Sequence, residues 1–372
     1  MRKTIRAVVP AISLAVLAVL AIGLFVIRGC GTPSRERQQL ITTPQGIPAA
    51  KGSPAPVKGA SHTDEFLSSL RAEVLRGPHG SAPIAEVVTA LADISGGPEI
   101  QDVFQVLAVR KQEALPVVKE KLRTGEMFEK HMMTKLLRYS PWPETYPELV
   151  ELAKDPKEHW LPRQGALYAL GALGNKEAGP AVLSILKQEN CPSGVKLVAI
   201  STLGRIGYRE AATAIRSFCD HEDMHTRLFA CRALAGFGEP VDKQFMLSAL
   251  NDEDYMIREE ACGALTSVEG GDVNAKLKFM AEQDSNESVR VGARIALLER
   301  QIGNQASDIK LNILSNSLGN ADRRTRIWII QAILEQCGAV GQAFVEELAA
   351  REDTMGERAR AFLVLNAKQA KP

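Results

Sequence analysis

The sequence predicts an all-α protein: a right-handed α-solenoid of stacked helix–turn–helix repeats behind one N-terminal transmembrane helix. Three observations lead to this fold class. A short pattern of basic, alanine and leucine residues recurs every 31 to 36 residues, aromatic residues make up only 5% of the 372-residue chain, and a long uncharged apolar run lies near the N-terminus. A recurrence of this length is typical of stacked helical repeats, and closely packed helices need few aromatic side chains.

The apolar run covers residues 7–27 (AVVPAISLAVLAVLAIGLFVI) and contains no charged residue. A helix rises about 1.5 Å per residue, so a helix of this length matches the roughly 30 Å hydrocarbon core of a bilayer. We therefore predict an uncleaved signal-anchor after a short N-terminal tail, 1–6, with membrane contact through residues 7–27. A cleaved signal peptide and a lipoprotein modified at Cys30 are the alternatives.

Residues 28–62 are rich in Pro, Gly, Ala and Ser and have no apolar periodicity, which indicates an extended tether. Arg2, Lys3 and Arg6 precede the span and favour a cytoplasmic tail, although basic residues also follow it. The expected localisation is a single-pass membrane protein whose solenoid lies outside the cytoplasm, in the periplasm or the extracellular space.

A basic residue occupies the same position in each repeat. The column runs through Lys130, Arg163, Lys196, Arg227, Arg258, Arg290, Arg326 and Arg358. Small or apolar residues follow three, six and seven positions later, which places one apolar stripe on a helix. Glycines eleven positions past the basic residue, as at Gly174, Gly207 and Gly238, are typical helix ends.

A second apolar helix precedes each of these helices, and a polar turn joins the two. The turn supplies Asp or Asn, as at Asp252 and Asp284. Such side chains cap the following helix and accept hydrogen bonds from the neighbouring Arg or Lys. We therefore predict a structural role for the basic column.

These residues resemble HEAT repeats, in particular the short bilin-lyase-like kind with its Asp…Val-Arg-x-x-Ala-x-x-Ala-Leu-Gly consensus. The match is good over 144–300 and looser over 301–368 and 100–140, so the solenoid is assigned to 100–368. Residues 63–99 are helical in pattern but lack the basic column, which suits a cap or an atypical repeat. The resemblance implies a curved stack whose second helices line the concave face, and neighbour-to-neighbour packing leads us to expect one elongated unit over 63–372.

Charge argues against a nucleic-acid partner. The first 60 residues carry eight Lys or Arg against one acid, while the whole chain has a net charge of +1, so the main body is mildly acidic. Nucleic-acid binding depends on neutralising phosphates with basic side chains. We expect a protein partner of unknown identity and no nucleic acid.

The richest polar cluster, DHEDMH at 220–225, gives weak metal candidates in His221, Glu222 and His225. It falls in a capping turn, and no neighbouring turn supplies matching histidines, so no metal or other cofactor is expected. The di-iron hydroxylases that share this scaffold use several His-Glu dipeptides, whereas only His221-Glu222 is present here. Buried thiols are expected for the cysteines: Cys191, Cys219 and Cys337 have no evident partner, and Cys231 and Cys262 occupy one column too far apart for a disulfide.

These observations favour a membrane-tethered scaffold for protein–protein interaction without catalysis, hence not an enzyme. Helical phase predicts a concave interaction surface at Tyr168, Ser201, Arg205, Leu228 and Arg232. The alternative is an enzyme, or a bilin- or metal-handling protein, that uses the solenoid groove. A cluster of His, Cys or acidic side chains converging from three or more repeats would distinguish it from a scaffold, and the linear sequence shows none.

Overall fold

The computed structural model describes residues 60–77, 79–93 and 98–366. Within these ranges the regular elements are all helices. The α-helices are α1 (Ala60–Leu75), α2 (Ile84–Asp93), α3 (Pro98–Val109), α4 (Lys111–Thr124), α5 (Met127–Tyr139), α6 (Tyr146–Lys154), α7 (Trp160–Leu173), α8 (Gly179–Leu186), α9 (Ser193–Ile206), α10 (Ala212–Arg216), α11 (Met224–Gly236), α12 (Lys243–Ala249), α13 (Tyr255–Ala264), α14 (Gly271–Gln283), α15 (Glu287–Ile302), α16 (Ser307–Leu318), α17 (Arg323–Gln336), α18 (Gly338–Ala349) and α19 (Thr354–Asn366). Short 3-10 helices cover Pro143–Thr145, Lys176–Ala178, Arg209–Ala211 and Leu265–Ser267. The prediction of an all-α, solenoid-like repeat fold is confirmed.

Polar turns and glycines set the helix ends. The Asp223 carboxylate accepts a hydrogen bond from the Thr226 amide at 2.8 Å and so caps α11. Caps of the same kind are made by Asp242, Asp254, Asn286 and Asp322. Gly174 and Gly207 close α7 and α9 with φ of 67°, a left-handed conformation that glycine adopts without a Cβ clash.

The helices form two layers. The second helices of the repeats, here called the inner helices, are α5, α7, α9, α11, α13, α15, α17 and α19, and each packs on the next along the chain. The first helices of the repeats, here called the outer helices, pack on each other over only part of the array. Because neighbours approach more closely on the inside of a curve, the inner helices form the concave layer.

The basic column reaches into the turns between the helices. Arg163 is 1% exposed and donates from Nε to the Ala153 carbonyl at 3.0 Å. Equivalent bonds run from Arg227 to Cys219 O (3.1 Å), from Arg290 to Asp284 O (2.7 Å) and from Arg326 to Leu318 O (3.2 Å). Each bond satisfies a carbonyl near the end of an outer helix that has no partner within that helix. The column therefore ties the outer helix of a repeat to its inner helix.

Other members of the column differ. Lys130 forms an ion pair with Glu158 of the following turn, and Lys196 is half-buried. In the last repeat it is Arg360, not the predicted Arg358, that donates to the turn, at 2.7 Å to the Ala349 carbonyl. The register in this repeat is therefore shifted by two residues from the spacing that the sequence suggested.

Arg258 makes the most complete set of contacts in the column. Its Nε and Nη2 donate to the two carboxylate oxygens of Asp284 at 2.8 and 3.0 Å, and its Nη1 donates to Asp252 O at 2.8 Å. The side chains of Arg258 and Asp284 are only 13% and 6% exposed. Burial alone would raise the pKa of Asp284, but hydrogen bonds from Arg258 and Asn286 outweigh it and lower that pKa. The pair therefore stabilises the fold above the unfolded pKa of Asp, about 4, and loses this effect as the pH falls through the lower folded value.

The first and last parts of the described chain are in contact. Helix α19 packs on both α1 and α3, and α2 and α3 contact α4 in turn. The Ser140 hydroxyl, just after α5, donates to Leu365 O at 2.7 Å. Leu67 and Leu70 of α1 share one apolar core with Leu363 of α19. With α3 between α19 and the start of the repeats, the array of helices closes on itself.

Closure corrects the expectation of an elongated unit with an open concave surface. The two ends are also close enough to interact electrostatically. Burial raises the pKa of Asp102 in α3, and among the neighbouring charges Glu357 in α19 adds to this increase. Helices α1 to α3 occupy the gap between the two ends of the repeat array, a position that an isolated end cap would not take.

The membrane prediction is corrected as well. Throughout the described residues no helix combines the length and the apolarity needed to cross a membrane, which contradicts the localisation as a single-pass membrane protein with an extracytoplasmic solenoid. The tail 1–6, the predicted anchor 7–27 and most of the tether 28–62 lie outside the described residues. Helix α1 begins at Ala60, within the end of the segment assigned to the tether.

Replacing Arg258 with Ala should lower the free energy of unfolding by about 2–4 kcal/mol, because the Asp284 carboxylate then stays buried without its cation. Urea denaturation at pH 7 measures this loss. The matched control is Arg351→Ala, which removes a pair with Asp353 whose side chains are 42% and 45% exposed and should cost less than about 1 kcal/mol. Similar losses from both variants would contradict a special role for the buried pair.

Ending the chain after Ala350 removes α19 and should loosen the N-terminal helices. In an open solenoid such a truncation affects only the neighbouring repeat, whereas in the closed array it also uncovers α1 and α3. We expect faster amide hydrogen exchange over 98–109, while 193–236 on the other side of the array stays protected. Unchanged exchange over 98–109 would show that the ends are not in contact.

Candidate functional site on the inner face

Polar and aromatic side chains gather on the inner helices α7, α11, α13 and α15. They are here called the inner-face cluster: Tyr168, His225, Arg232, Glu259, Glu260 and Glu299. Two of them, Tyr168 and Arg232, belong to the interaction surface predicted from helical phase. The members lie on four inner helices and are up to 131 positions apart in the sequence. They are nevertheless close enough in space for their charges to interact.

His225 and Glu260 form the best-defined contact in the cluster. The Nδ1 of His225 lies 2.7 Å from Oε2 of Glu260, and the side chains are 14% and 18% exposed. The hydrogen bond to Glu260 raises the pKa of His225. Burial raises the pKa of Glu260, although His225 opposes this. Both groups therefore hold protons at a higher pH than when fully solvated, and one proton can be shared between them.

Two further carboxyl groups lie in similar surroundings. Burial raises the pKa of Glu259, although Arg324 of α17 lies 3.7 Å from its Oε1. Burial also raises the pKa of Glu299, and the charge of Arg232 acts against this increase. Three carboxyl groups on adjacent helices thus have a raised proton affinity, which is the property of a general acid rather than of a solvated surface residue.

Tyr168 links this group to the first repeat. The guanidinium of Arg138 on α5 stacks over its ring at 4.6 Å from the ring centroid. Burial raises the pKa of Tyr168, Arg138 lowers it, and the charge of Glu260 raises it further. Tyr168 lies on α7 and Glu260 on α13, with two inner helices between them in the chain, so the inner face must be strongly curved at this point.

Arg232 lies against the next inner helix. A Cβ atom at Gly263 of α13 would stand 2.9 Å from its Nη1, so the guanidinium would have to shift to accept one. The guanidinium of Arg232 therefore lies directly against the backbone of α13. Arg232 itself is exposed, so it can meet a ligand that enters the inner face.

The remaining predicted surface residues are placed differently. Ser201 is half-buried and Arg205 is exposed on α9. Leu228 is 1% exposed and belongs to the apolar core between α11 and its neighbours. Leu228 is therefore a core residue and not part of an accessible surface.

The three metal candidates do not come together. His225 pairs with Glu260, the Nδ1 of His221 accepts a hydrogen bond from the Asp223 amide at 3.0 Å, and Glu222 is exposed. Across the described ranges no group of three or more His, Cys, Asp or Glu side chains is arranged to hold a metal ion. The sequence singled out His225 as a metal candidate together with residues of its own turn. In the structure its partner is instead Glu260, on the next inner helix.

The cysteines give one unexpected contact. The Sγ atoms of Cys219 and Cys231 lie 3.9 Å apart, whereas the sequence offered Cys219 no evident partner. The cause is local, since Arg227 binds the Cys219 carbonyl and folds the turn back onto α11. Cys191, Cys231, Cys262 and Cys337 are buried, and all the described cysteines are free thiols.

A curated relative aligns with about a third of the chain. It is the phycobilisome maturation protein of Synechococcus elongatus (strain ATCC 33912 / PCC 7942 / FACHB-805), 31% identical over 127 residues. The aligned region covers 34% of this chain and 60% of the relative. The chain thus spans less than two thirds of the length of the curated relative it matches.

Solved structures of two other proteins align over most of the chain at low similarity. The complex of CpcE and CpcF of phycocyanin lyase from Nostoc sp. PCC7120 matches 74% of this chain and 98% of its own, at 17% identity and a TM-score of 0.43. Human deoxyhypusine hydroxylase in complex with glycerol matches 69% of this chain and 98% of its own, at 19% identity and a TM-score of 0.27.

The relative corrects the functional prediction. A membrane-tethered scaffold without catalysis, and hence a protein that is not an enzyme, was the favoured interpretation of the sequence. The matched relative is instead a phycobilisome maturation protein, and this supports the alternative interpretation, a bilin-handling protein. The inner-face cluster also meets the criterion set for that alternative, because its histidine and glutamates come from three repeats.

A family model matches the central repeats of the chain. The model of HEAT repeats matches residues 181–266, which span α9, α11 and α13 and the outer helices between them. The same order of outer helix, polar turn and inner helix continues on both sides of the matched region. Residues 181–266 are therefore HEAT repeats, and the flanking helices continue the same arrangement.

Proposed function

We propose that this protein handles a bilin, an open-chain tetrapyrrole, and catalyses its attachment to or removal from a phycobiliprotein. The observation that carries the proposal is the inner-face cluster, where burial raises the pKa values of three carboxyl groups beside a histidine and two arginines. The relative that functions in phycobilisome maturation supports the same conclusion.

A bilin is an elongated, flexible pigment with several pyrrole nitrogens and two propionate side chains. Its pyrrole N–H groups donate hydrogen bonds, and protonation of the pigment spreads a positive charge over the conjugated system. Carboxyl groups in a poorly solvated pocket bind such donors strongly. Glu259 and Glu260 on α13 and Glu299 on α15 supply these acceptors on the concave face, where ligand sites commonly lie.

Attachment is an addition reaction. The thiol of an acceptor cysteine adds across an exocyclic carbon–carbon double bond of the bilin, forming one S–C bond and one C–H bond, with no leaving group and no oxidant. A base must take the thiol proton, and an acid must protonate the pigment carbon. The His225–Glu260 pair can accept a proton, and a protonated Glu259 or Glu299 can donate one, because burial raises the proton affinity of these carboxyl groups.

The reactive thiol belongs to the acceptor protein in this proposal. Among the described cysteines, Cys191, Cys231, Cys262 and Cys337 are buried in the packing between helices and none belongs to the inner-face cluster. The partner is therefore a phycobiliprotein subunit that presents its own cysteine to a bilin held on the inner face.

Replacing Glu260 with Gln should weaken binding of phycocyanobilin at least about tenfold, because a charge-assisted hydrogen bond is worth roughly 1.5–3 kcal/mol. Absorbance titration of the purified full chain measures the dissociation constant. The matched control is Glu253→Gln, the same substitution at an exposed position in the turn before α13. Equal affinity of both variants would remove Glu260 from the site.

The catalytic part of the proposal is tested by transfer. Phycocyanobilin is mixed with an apo-phycobiliprotein subunit, with and without the chain, and the covalently bound pigment is measured after denaturation. We expect the initial rate of specific thioether formation, or of its reversal from the pigmented subunit, to rise at least about tenfold, the lower range of general acid–base effects being about a hundredfold. A rate equal to the spontaneous reaction in both directions would contradict an enzymatic role.

A further inference from the structure

Three basic side chains occupy one face of α5 at the edge of the inner-face cluster. His131, Lys135 and Arg138 are separated by four and three positions, so they lie one above the other along the helix. Arg138 stacks on Tyr168 at 4.6 Å. This basic face of α5 therefore adjoins the inner-face cluster directly.

These three side chains lack acidic partners, unlike the other basic residues of this region. Lys119 and Arg123 of α4 pair with Glu148, Lys121 pairs with Glu129, and Lys130 pairs with Glu158. Within the described part of the chain, no hydrogen bond or ion pair involves the side-chain nitrogens of Lys135 or Arg138, and the guanidinium of Arg138 stacks on the Tyr168 ring. Among the described Lys and Arg residues of α4 and α5, the two without an acidic partner are thus Lys135 and Arg138, on the face of α5 that carries the contact with Tyr168.

The unpaired groups are also poorly solvated. The Nδ1 atom of His131 is buried and has no hydrogen-bond partner. Burial and the neighbouring Lys135 lower the pKa of His131 to about 4. Burial and the charge of Arg138 lower the pKa of Lys135. His131 is therefore an uncharged imidazole at neutral pH, whereas Lys135 and Arg138 disfavour each other's charge, and an anionic ligand would relieve this repulsion.

We propose that the basic face of α5, formed by His131, Lys135 and Arg138, binds the carboxylate groups of the ligand held on the inner face. This subsite rests on the proposed function, in which the ligand is a bilin and the carboxylates are its propionates. The glutamates of α13 and α15 then bind the pyrrole N–H groups of the pigment, while the basic face of α5 binds its negatively charged propionates. Because the acidic side chains and the basic side chains lie on different helices of the inner face, they fix the direction in which the pigment lies across it.

The test compares phycocyanobilin with its dimethyl ester, which keeps the conjugated system and removes both negative charges. Dissociation constants are measured by absorbance titration of the full chain. We expect wild type to bind the diacid at least about tenfold more tightly than the ester. In Lys135→Gln the diacid should bind at most about threefold more tightly than the ester, because only the affinity for the diacid falls. Lys135→Arg keeps the positive charge and should retain most of the preference for the diacid.

Arg209→Gln serves as the matched control, because Arg209 is an exposed cation in the 3-10 helix before α10, and this variant should leave the preference unchanged. Unchanged ester affinity in Lys135→Gln shows that the variant is folded, and its melting temperature should not fall, since the lost ammonium group has no partner. Equal binding of diacid and ester to wild type would overturn the carboxylate subsite and leave bilin handling intact. Binding of neither compound would overturn the proposed function and the subsite together.

Discussion

The packing of α19 on α1 and α3 is the constraint on which the rest of the structure depends. A HEAT repeat buries its apolar faces only against its neighbours, so the first and last repeats of an open array leave apolar surface uncovered. Here each end covers the other, as seen in the apolar core shared by α1 and α19. Closure also curves the row of inner helices, and on its concave side the carboxyl groups of the inner-face cluster are half-buried without entering the apolar core.

This loss of solvent gives the inner face its chemistry. An exposed glutamate is ionised at neutral pH and is a weak acid catalyst, whereas burial raises the pKa values of Glu259, Glu260 and Glu299 together. Arginines and a histidine beside them prevent full neutralisation. The resulting mixture of proton donors and acceptors suits a pigment that carries both N–H groups and carboxylates, and the basic face of α5 extends it with the opposite charge.

Periodicity allowed much of the fold to be predicted. The spacing of the basic column, the alanine and leucine stripe and the glycines at helix ends define helices and turns, because each depends on contacts within one or two repeats. In the last repeat the hydrogen bond to the turn comes from Arg360 and not from Arg358, two positions later than the spacing of the basic column predicts. Closure was beyond prediction because it depends on small rotations summed over all repeats, and no local pattern records that sum.

The site was only partly predictable for the same reason. Tyr168 and Arg232 followed from helical phase, but the same rule placed Leu228 on the surface, where the structure buries it in the core. The contact of His225 with Glu260 joins residues 35 positions apart, and pairing them requires the register between two helices. The linear sequence shows no reactive cluster, and this led to the scaffold interpretation. The groups that form the cluster, such as His225, Glu260 and Glu299, lie on successive inner helices and are therefore one repeat apart in the sequence.

The most direct test of this account is the distance between spin labels on the two ends of the array, at the exposed positions Gln101 in α3 and Glu357 in α19. Pulsed electron resonance on the full chain in solution measures it. The account predicts a short, narrow distance distribution that fits two helices packed about 8–10 Å apart, after allowing for the label arms. A long and broad distribution would show an open array, and the enclosed inner face proposed to hold the bilin would not exist.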